Sequence, residues 1–294
     1  MHTKPQGGKV PSTSQDDPLR LMAVLAHPDD EALGMGGTLA RYAEEGVRTS
    51  VITATRGESG RHGGGEHPGL EALGRIREGE LRAAARELGV DEVRFLDYVD
   101  GRLDRVDPRE AVGRIVGHIR RLRPHVVVTF GHDGAYGHPD HVAISQLATA
   151  AAVCAGDPEF APGAGAEEGS AWRVAKLYWM AWGPDTWATY QRTFKRLVSV
   201  VDGVERQANP WPEWAITTRV DARRWWPAVW RAVQRHRTQM EIYGALADLP
   251  DEVHERLWGD QTFYRVFSAV NGGRETETDL FEGLRADDGT GGTR

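Results

Sequence analysis

Two short stretches hold most of the residues able to do chemistry. His27-Pro28-Asp29-Asp30-Glu31 packs one imidazole and three carboxylates into five residues, and the run from Gly131 to His141 ends in a second His-Pro-Asp followed by His141. A solvated turn explains one or two such acids, but the residues after Glu31 are Ala32, Leu33 and Gly34 rather than further charge. Two histidines and a carboxylate from two loops suit Zn²⁺ with a fourth position left to water. The same set suits Fe²⁺ equally well. Residues three apart on a turn can face one ion, so His27 and Asp30 form the natural pair, Asp29 points toward the water, and His141 completes the set.

Each stretch follows an apolar run. Leu21 to Ala26 and Val126 to Phe130 read as buried parallel strands, as does Val47 to Thr55. Leu39, Tyr42 and Ala43 recur at helical spacing before the stop at Gly46, which makes a strand-helix-strand unit. The pattern repeats with the stripe Leu81, Ala84, Ala85, Leu88, a strand over Val93 to Leu96, and a helix opened by Asp107-Pro108 with the face Val112, Ile115, Val116 and Ile119. Such alternation predicts a Rossmann-like α/β fold, a parallel sheet with helices on both faces that binds ligands at the carboxyl ends of its strands. A last helix is expected from about His141 to Ala155, and Gly156 to Ser170 reads as a loop or domain seam. Beyond it are expected strands near Lys176 to Trp182 and Ile216 to Val220 and a helix carrying Trp225, Trp226 and Trp230. The expected organisation is a disordered arm over 1–18, a metal-binding catalytic domain over 19–155, a smaller C-terminal α+β portion over 156–284 that completes the substrate cleft, and a flexible tail over 285–294.

A formal net charge of -7 excludes a phosphate-tracking nucleic-acid binder, which needs clustered Lys and Arg. Arg120, Arg121 and Arg123 read as a solvated helix end. No apolar run approaches the roughly 20 residues of a membrane helix, and Met1 to Asp17 lacks the apolar stretch of a secretory signal. A cytoplasmic protein is expected. The single cysteine, Cys154, reads as a buried inert thiol. Gly34-Met35-Gly36-Gly37 does not have the spacing of a dinucleotide loop, and the acids before it would repel a pyrophosphate.

Ala26-His27-Pro28-Asp29-Asp30-Glu31, taken with Tyr136-Gly137-His138-Pro139-Asp140-His141, resembles the PIG-L/LmbE family of zinc de-N-acetylases. That family includes the deacetylase and the S-conjugate amidase of mycothiol metabolism. The likeness runs from Leu21 to about Ala155, with Thr55-Arg56-Gly57-Glu58 and the helix from Arg77 to Val90 as landmarks. Later echoes are His236-Arg237-Thr238-Gln239 and Glu277-Thr278-Asp279-Leu280-Phe281. The resemblance implies a metal-dependent hydrolase that removes an N-acyl group, an N-acetyl in the first instance, from an amino sugar of the GlcNAc type. It implies His27, Asp30 and His141 as metal ligands, Asp29 as general base, and His138 and Tyr136 as groups that stabilise the oxyanion.

Amide hydrolysis needs an activated water, a base and a donor over the developing oxyanion, so the implied set is chemically complete. Asp140 is expected to bond His138 and keep it protonated for the leaving amine, unless it only caps the following helix. By the same resemblance Arg77 holds the sugar or its aglycone. Asp97 or Asp100, past a strand end, can bond sugar hydroxyls, and the sequence does not choose between them. Glu58, with Arg56, Arg61, His62 and Glu66 in a Gly-rich loop, is a further contact. Two alternatives stay open: an amidase acting on a larger amide such as a mycothiol S-conjugate, and a non-catalytic sugar-binding protein, which would be expected to lose Asp29 or His138. The expected partner is a small amino-sugar substrate, with room for a homo-oligomer and with neither nucleic acid nor membrane.

Overall fold

The central strands have no polar face because both of their faces are covered: Leu21 to Leu25 and Val126 to Phe130 are all buried. The computed structural model describes residues 17–285 apart from 65, 164, 195–197, 202 and 208. Most of the expected N-terminal arm and C-terminal tail lie outside the described residues. The elements run β1 (Arg20–Leu25), α1 (Asp30–Glu44), β2 (Arg48–Thr55), α2 (Leu70–Glu87), β3 (Glu92–Tyr98), α3 (Pro108–Leu122), β4 (Val126–Phe130), α4 (Gly134–Gly137), α5 (Pro139–Cys154) and β5 (Lys176–Met180). They continue as α6 (Pro184–Phe194), β6 (Val198–Val201), β7 (Val204–Gln207), β8 (Thr218–Asp221), α7 (Trp226–Arg235), α8 (Met240–Tyr243), α9 (Asp251–Trp258) and β9 (Asp260–Ser268).

One seven-stranded sheet has the order β3-β2-β1-β4-β5-β9-β8. Its first five strands are parallel, with Leu21 opposite Thr49 of β2 and Val126 of β4. The crossovers put α1 and α2 on one face, where both pack on α7, and α3 and α5 on the other, where they pack on each other. Asp107 caps α3 by accepting from the Arg109 N–H at 2.9 Å, with Pro108 in the first turn. The sheet is mixed rather than wholly parallel, since β9 pairs antiparallel with both β5 and β8. The strands after the Gly156 to Ser170 segment therefore extend the first sheet, while β6 and β7 form a separate hairpin.

The Gly-rich stretch lies inside α1, where it admits close packing: a Cβ on Gly37 would come within 2.7 Å of the Ala222 Cβ, and one on Gly36 within 3.2 Å of Val229 on α7. Arg120 is buried, against the expectation of a solvated end, because its guanidinium donates to the carbonyls of Ala155 and Asp157. Cys154 is only half-buried, near the end of α5. Among the described residues no helix is long and apolar enough to cross a membrane.

β1 and β4 are neighbours, yet the chain leaves β1 toward β2 on one side and leaves β4 toward β5 on the other. That reversal opens a crevice at their carboxyl ends. Both His-Pro-Asp stretches begin there.

Candidate metal centre and active site

His27 follows β1, and Asp30 opens α1 one turn later. Asp30 Oδ2 accepts from the backbone N–H groups of Ala26 at 3.1 Å and His27 at 2.8 Å, which fixes the carboxylate at the strand end. His141 sits in the first turn of α5, its ring stacked at 4.0 Å on Phe130, the last residue of β4. His27 Nδ1 lies 3.2 Å from His141 Nε2, which lies 3.4 Å from Asp30 Oδ1, and Asp30 Oδ2 lies 3.8 Å from His27 Nδ1. Around a tetrahedral ion with bonds of about 2.0–2.1 Å, ligand atoms are roughly 3.3–3.4 Å apart. The His27–His141 and His141–Asp30 separations are of that size, whereas Asp30 meets the two rings with different oxygens and stands farther from His27.

The outer partners suit such an ion. His27 Nε2 faces Asp100 Oδ1 at 3.0 Å and Asp140 Oδ2 at 3.1 Å, as metal-ligating histidines commonly face carboxylates. Burial lowers the His27 pKa, but these two carboxylates and Asp30 outweigh it and push it up to about 10. Burial raises Asp30 to about 7, and burial with the neighbouring His27 and His138 holds His141 well below the usual imidazole range. His141 is thus already the neutral imidazole that a cation needs. Among the described residues, the donor atoms close enough together to share an ion fall into two groups, His27 with His138 and His141, and His27 with Asp100 and Asp140; Asp30 is in neither.

Asp29 is the N-cap of α1 but does not cap it. Its φ of 109° is a left-handed conformation that costs a non-glycine residue about 1–3 kcal/mol, and its carboxylate turns instead to Arg77 Nη2 at 3.2 Å and the Tyr243 hydroxyl at 3.0 Å. Arg77 is buried on α2, and its guanidinium also donates to the carbonyls of Gly57 at 2.7 Å and Pro28 at 2.6 Å. It is not a surface residue: it lines the same cavity as Asp29, and its Nε makes no hydrogen bond among the described residues. Gly57 is required beside it, since a Cβ there would lie 2.2 Å from Arg77 Nη1 and φ is +63°.

His138 caps α5 by accepting from the Asp140 N–H at 3.2 Å through Nδ1, which assigns the ring proton to Nε2. The Asp140 carboxylate does not bond His138 as the sequence led us to expect. It accepts from Gly101 N at 2.7 Å and Leu103 N at 3.0 Å and faces His27. With burial and His27 beside it, His138 is lowered to about 4 and is neutral. Positive φ at Gly134, Ala135 and Gly137 bends the chain so that Tyr136 also reaches the site, its ring 5.3 Å from His141.

A cavity of about 590 Å³ joins these groups, lined among others by His27, Asp29, Asp30, Asp100, Tyr136, His138 and His141. Its farther wall is apolar, with Leu33, Trp182, Tyr190, Val198 and Ile242. Trp182 stacks on Tyr190 at 4.8 Å. Of the two acids the sequence left open, Asp100 lines the cavity, whereas Asp97 is an exposed residue near the end of β3 paired with Arg56. Glu58 is absent from the lining; its Oε1 accepts from the Asp100 N–H at 2.9 Å. Glu31, His236, Tyr190 and Tyr243 were not assigned roles from sequence. His236 belongs to a segment that carries the family likeness, but nothing in the spacing marks Tyr243.

The model of the PIG-L family, described as GlcNAc-PI de-N-acetylase, matches residues 22–152. A 1D-myo-inositol 2-acetamido-2-deoxy-alpha-D-glucopyranoside deacetylase of Streptomyces avermitilis is 36% identical, over 90% of this chain and 97% of that one. A Catenulispora acidiphila enzyme of the same description, numbered 1, is 33% identical over 98% of this chain and 96% of its own. Among solved structures, the conserved protein TT1542 of Thermus thermophilus is 29% identical with a TM-score of 0.61, covering 86% of this chain and 97% of that one.

Proposed function

The chain belongs to the PIG-L family of de-N-acetylases, and from that membership we propose that it removes the acetyl group from an N-acetylglucosaminyl-inositol, with zinc as the native metal held by His27, Asp30 and His141. It is a hydrolase of the deacetylase type. The observation that carries the proposal is the approach of His27 Nδ1 to His141 Nε2 at 3.2 Å and of the two Asp30 oxygens to these atoms at 3.8 and 3.4 Å, beside an aspartate that leaves its own helix uncapped. Bound there, a divalent cation supplies Lewis acidity toward water and the amide carbonyl.

The chain's own residues do the rest. Asp29, held by Arg77 and Tyr243, accepts the proton of the attacking water. His138 Nε2–H and the Tyr136 hydroxyl donate to the carbonyl oxygen as negative charge develops on it. Because His138 is a neutral helix cap, the proton for the departing amine is assigned to Asp29, which has just received one. This replaces the imidazolium donor expected from the sequence: a positive charge at the start of α5 would be opposed by the helix dipole and by His27. Asp100 and Asp140 orient His27, and Asp100 at the cavity wall also offers an acceptor to a sugar hydroxyl.

The apolar wall at Leu33, Trp182 and Tyr190 supports a second reading, hydrolysis of a larger amide such as a thiol conjugate of glucosaminyl-inositol. Release of acetate and free amine from N-acetylglucosaminyl-inositol by the purified, metal-loaded protein is the test. Cleavage of the conjugate without acetate release would decide for the amidase.

A further inference from the structure

The proton-accepting aspartate of the proposed reaction stands in the first half of the chain, yet it is gripped by one short segment of the second half. His236, just past α7, and Glu31, in the first turn of α1, are both fully buried, and His236 Nε2 lies 2.7 Å from Glu31 Oε1. The other oxygen of Glu31 accepts from the Asp29 N–H at 3.0 Å. The Glu31 carboxylate thus ties the strained backbone of Asp29 to a histidine 205 positions beyond Glu31. Seven residues beyond His236, the Tyr243 hydroxyl donates to Asp29 Oδ2.

Between these two points the segment is fastened to the catalytic half. Thr238 donates through N and Oγ1 to the two oxygens of Glu80 on α2, at 2.9 and 2.7 Å. Gln239 Nε2 donates to the Arg61 carbonyl at 2.6 Å. A loop that only covered the cavity would not need four side-chain attachments, two of them ending on Asp29 or on the carboxylate that holds its N–H.

We propose that the His236–Tyr243 segment is a positioning strap for Asp29, with His236 acting through Glu31 on its backbone and Tyr243 acting directly on its carboxylate. The strap rests on Asp29 serving as the proton acceptor. Left to itself, a residue at φ 109° relaxes toward the ordinary helical region and its carboxylate rotates onto the α1 N–H groups, where N-cap aspartates normally bond. The strap removes both escapes. Tyr243 and His236 are positioning residues: they act on the chemistry through Asp29.

A double-mutant cycle with metal content measured alongside tests this. Tyr243→Phe, which deletes one hydroxyl, should lower kcat by about tenfold with KM changed by less than about twofold and metal content unchanged. In an Asp29→Asn background the same change should lower kcat by less than about twofold, because the group it positions no longer accepts a proton. His236→Leu should behave as Tyr243→Phe does, and His236→Gln, which keeps a donor for Glu31, should recover most of the loss. Where His236→Leu does not fold, the Tyr243 arm decides alone. Fully multiplicative effects in the Asp29→Asn background, or a raised KM at unchanged kcat, would overturn the strap. An Asp29→Asn enzyme with wild-type kcat would instead overturn the assignment of Asp29 as proton acceptor, and the strap with it.

Discussion

Replacing Arg77 with Met should destabilise the protein before it affects substrate binding. The guanidinium is 4% exposed and supplies donors to Pro28 O, Gly57 O and Asp29 Oδ2. Methionine fills much of the volume but donates to none of them. Each buried carbonyl left without a partner costs about 1–3 kcal/mol, and removing one member of a buried ion pair costs about 3–5 kcal/mol. These terms share one side chain and do not add in full, so about 3–5 kcal/mol is expected for the whole substitution. Against a total stability of about 5–15 kcal/mol that is a large fraction, and it corresponds to a fall in Tm of roughly 10 °C. Arg77→Lys should recover only part of it, since an ammonium cannot span three acceptors set around a planar fork. Urea unfolding followed by circular dichroism gives the midpoint, and steady-state kinetics on the folded fraction gives the rest. Loss of Asp29 orientation should appear in kcat. An Arg77→Met protein with an unchanged midpoint and only a raised KM would refute the buried role and return Arg77 to the substrate.

Asp140→Asn should weaken metal affinity by about 10- to 100-fold, as loss of a carboxylate partner to a metal histidine does elsewhere, because one of the two acids facing His27 Nε2 becomes a neutral amide; a chelator competition assay reads this directly. His141→Ala should lose both metal and turnover, and full metal occupancy in that variant would remove His141 from the site. A third expectation concerns pH. Glu277 is buried beneath the sheet, where burial raises its pKa but Lys176 at 2.6 Å, Tyr178, Asn271 and Thr218 outweigh it and hold it at about 2, below the ordinary 4.5. A depressed folded pKa contributes stability above the unfolded value and loses it as pH falls. The stability advantage of the wild type over Glu277→Gln should therefore be full above about pH 4.5 and shrink toward pH 2, and an advantage independent of pH over that range would contradict the pairing.

The catalytic half was legible because β1 and β4 are continuous apolar runs, each followed by a loop that carries His-Pro-Asp; their adjacency and the reversal between them came only with the strand order. β9 was not, although it divides β5 from β8. Its sequence, Asp-Gln-Thr-Phe-Tyr-Arg-Val-Phe-Ser, does not alternate, and only Gly259 separates it from α9. At the site, residue types and spacing brought His27, Asp30 and His141 to one point. They did not orient Asp140, since adjacency in the first turn of a helix does not say which way a side chain leaves it. The resemblance gave Arg77 to the sugar, but its bonds to the carbonyls of Pro28 and Gly57 were not legible, because backbone acceptors leave no sign in the sequence. Tyr243 reaches Asp29 across 214 positions, a contact that no local pattern encodes.

The central claim is a division of labour between neighbouring aspartates, Asp30 on the cation and Asp29 on the proton. Its most direct test is metal content and kcat for Asp29→Asn and Asp30→Asn, prepared side by side and assayed on N-acetylglucosaminyl-inositol. Asp29→Asn should keep the metal while kcat falls by about 10²- to 10⁴-fold, and Asp30→Asn should lose the metal, because a neutral amide oxygen is a poorer ligand than a carboxylate. The reverse result, with Asp29→Asn metal-free and Asp30→Asn still loaded, would contradict it.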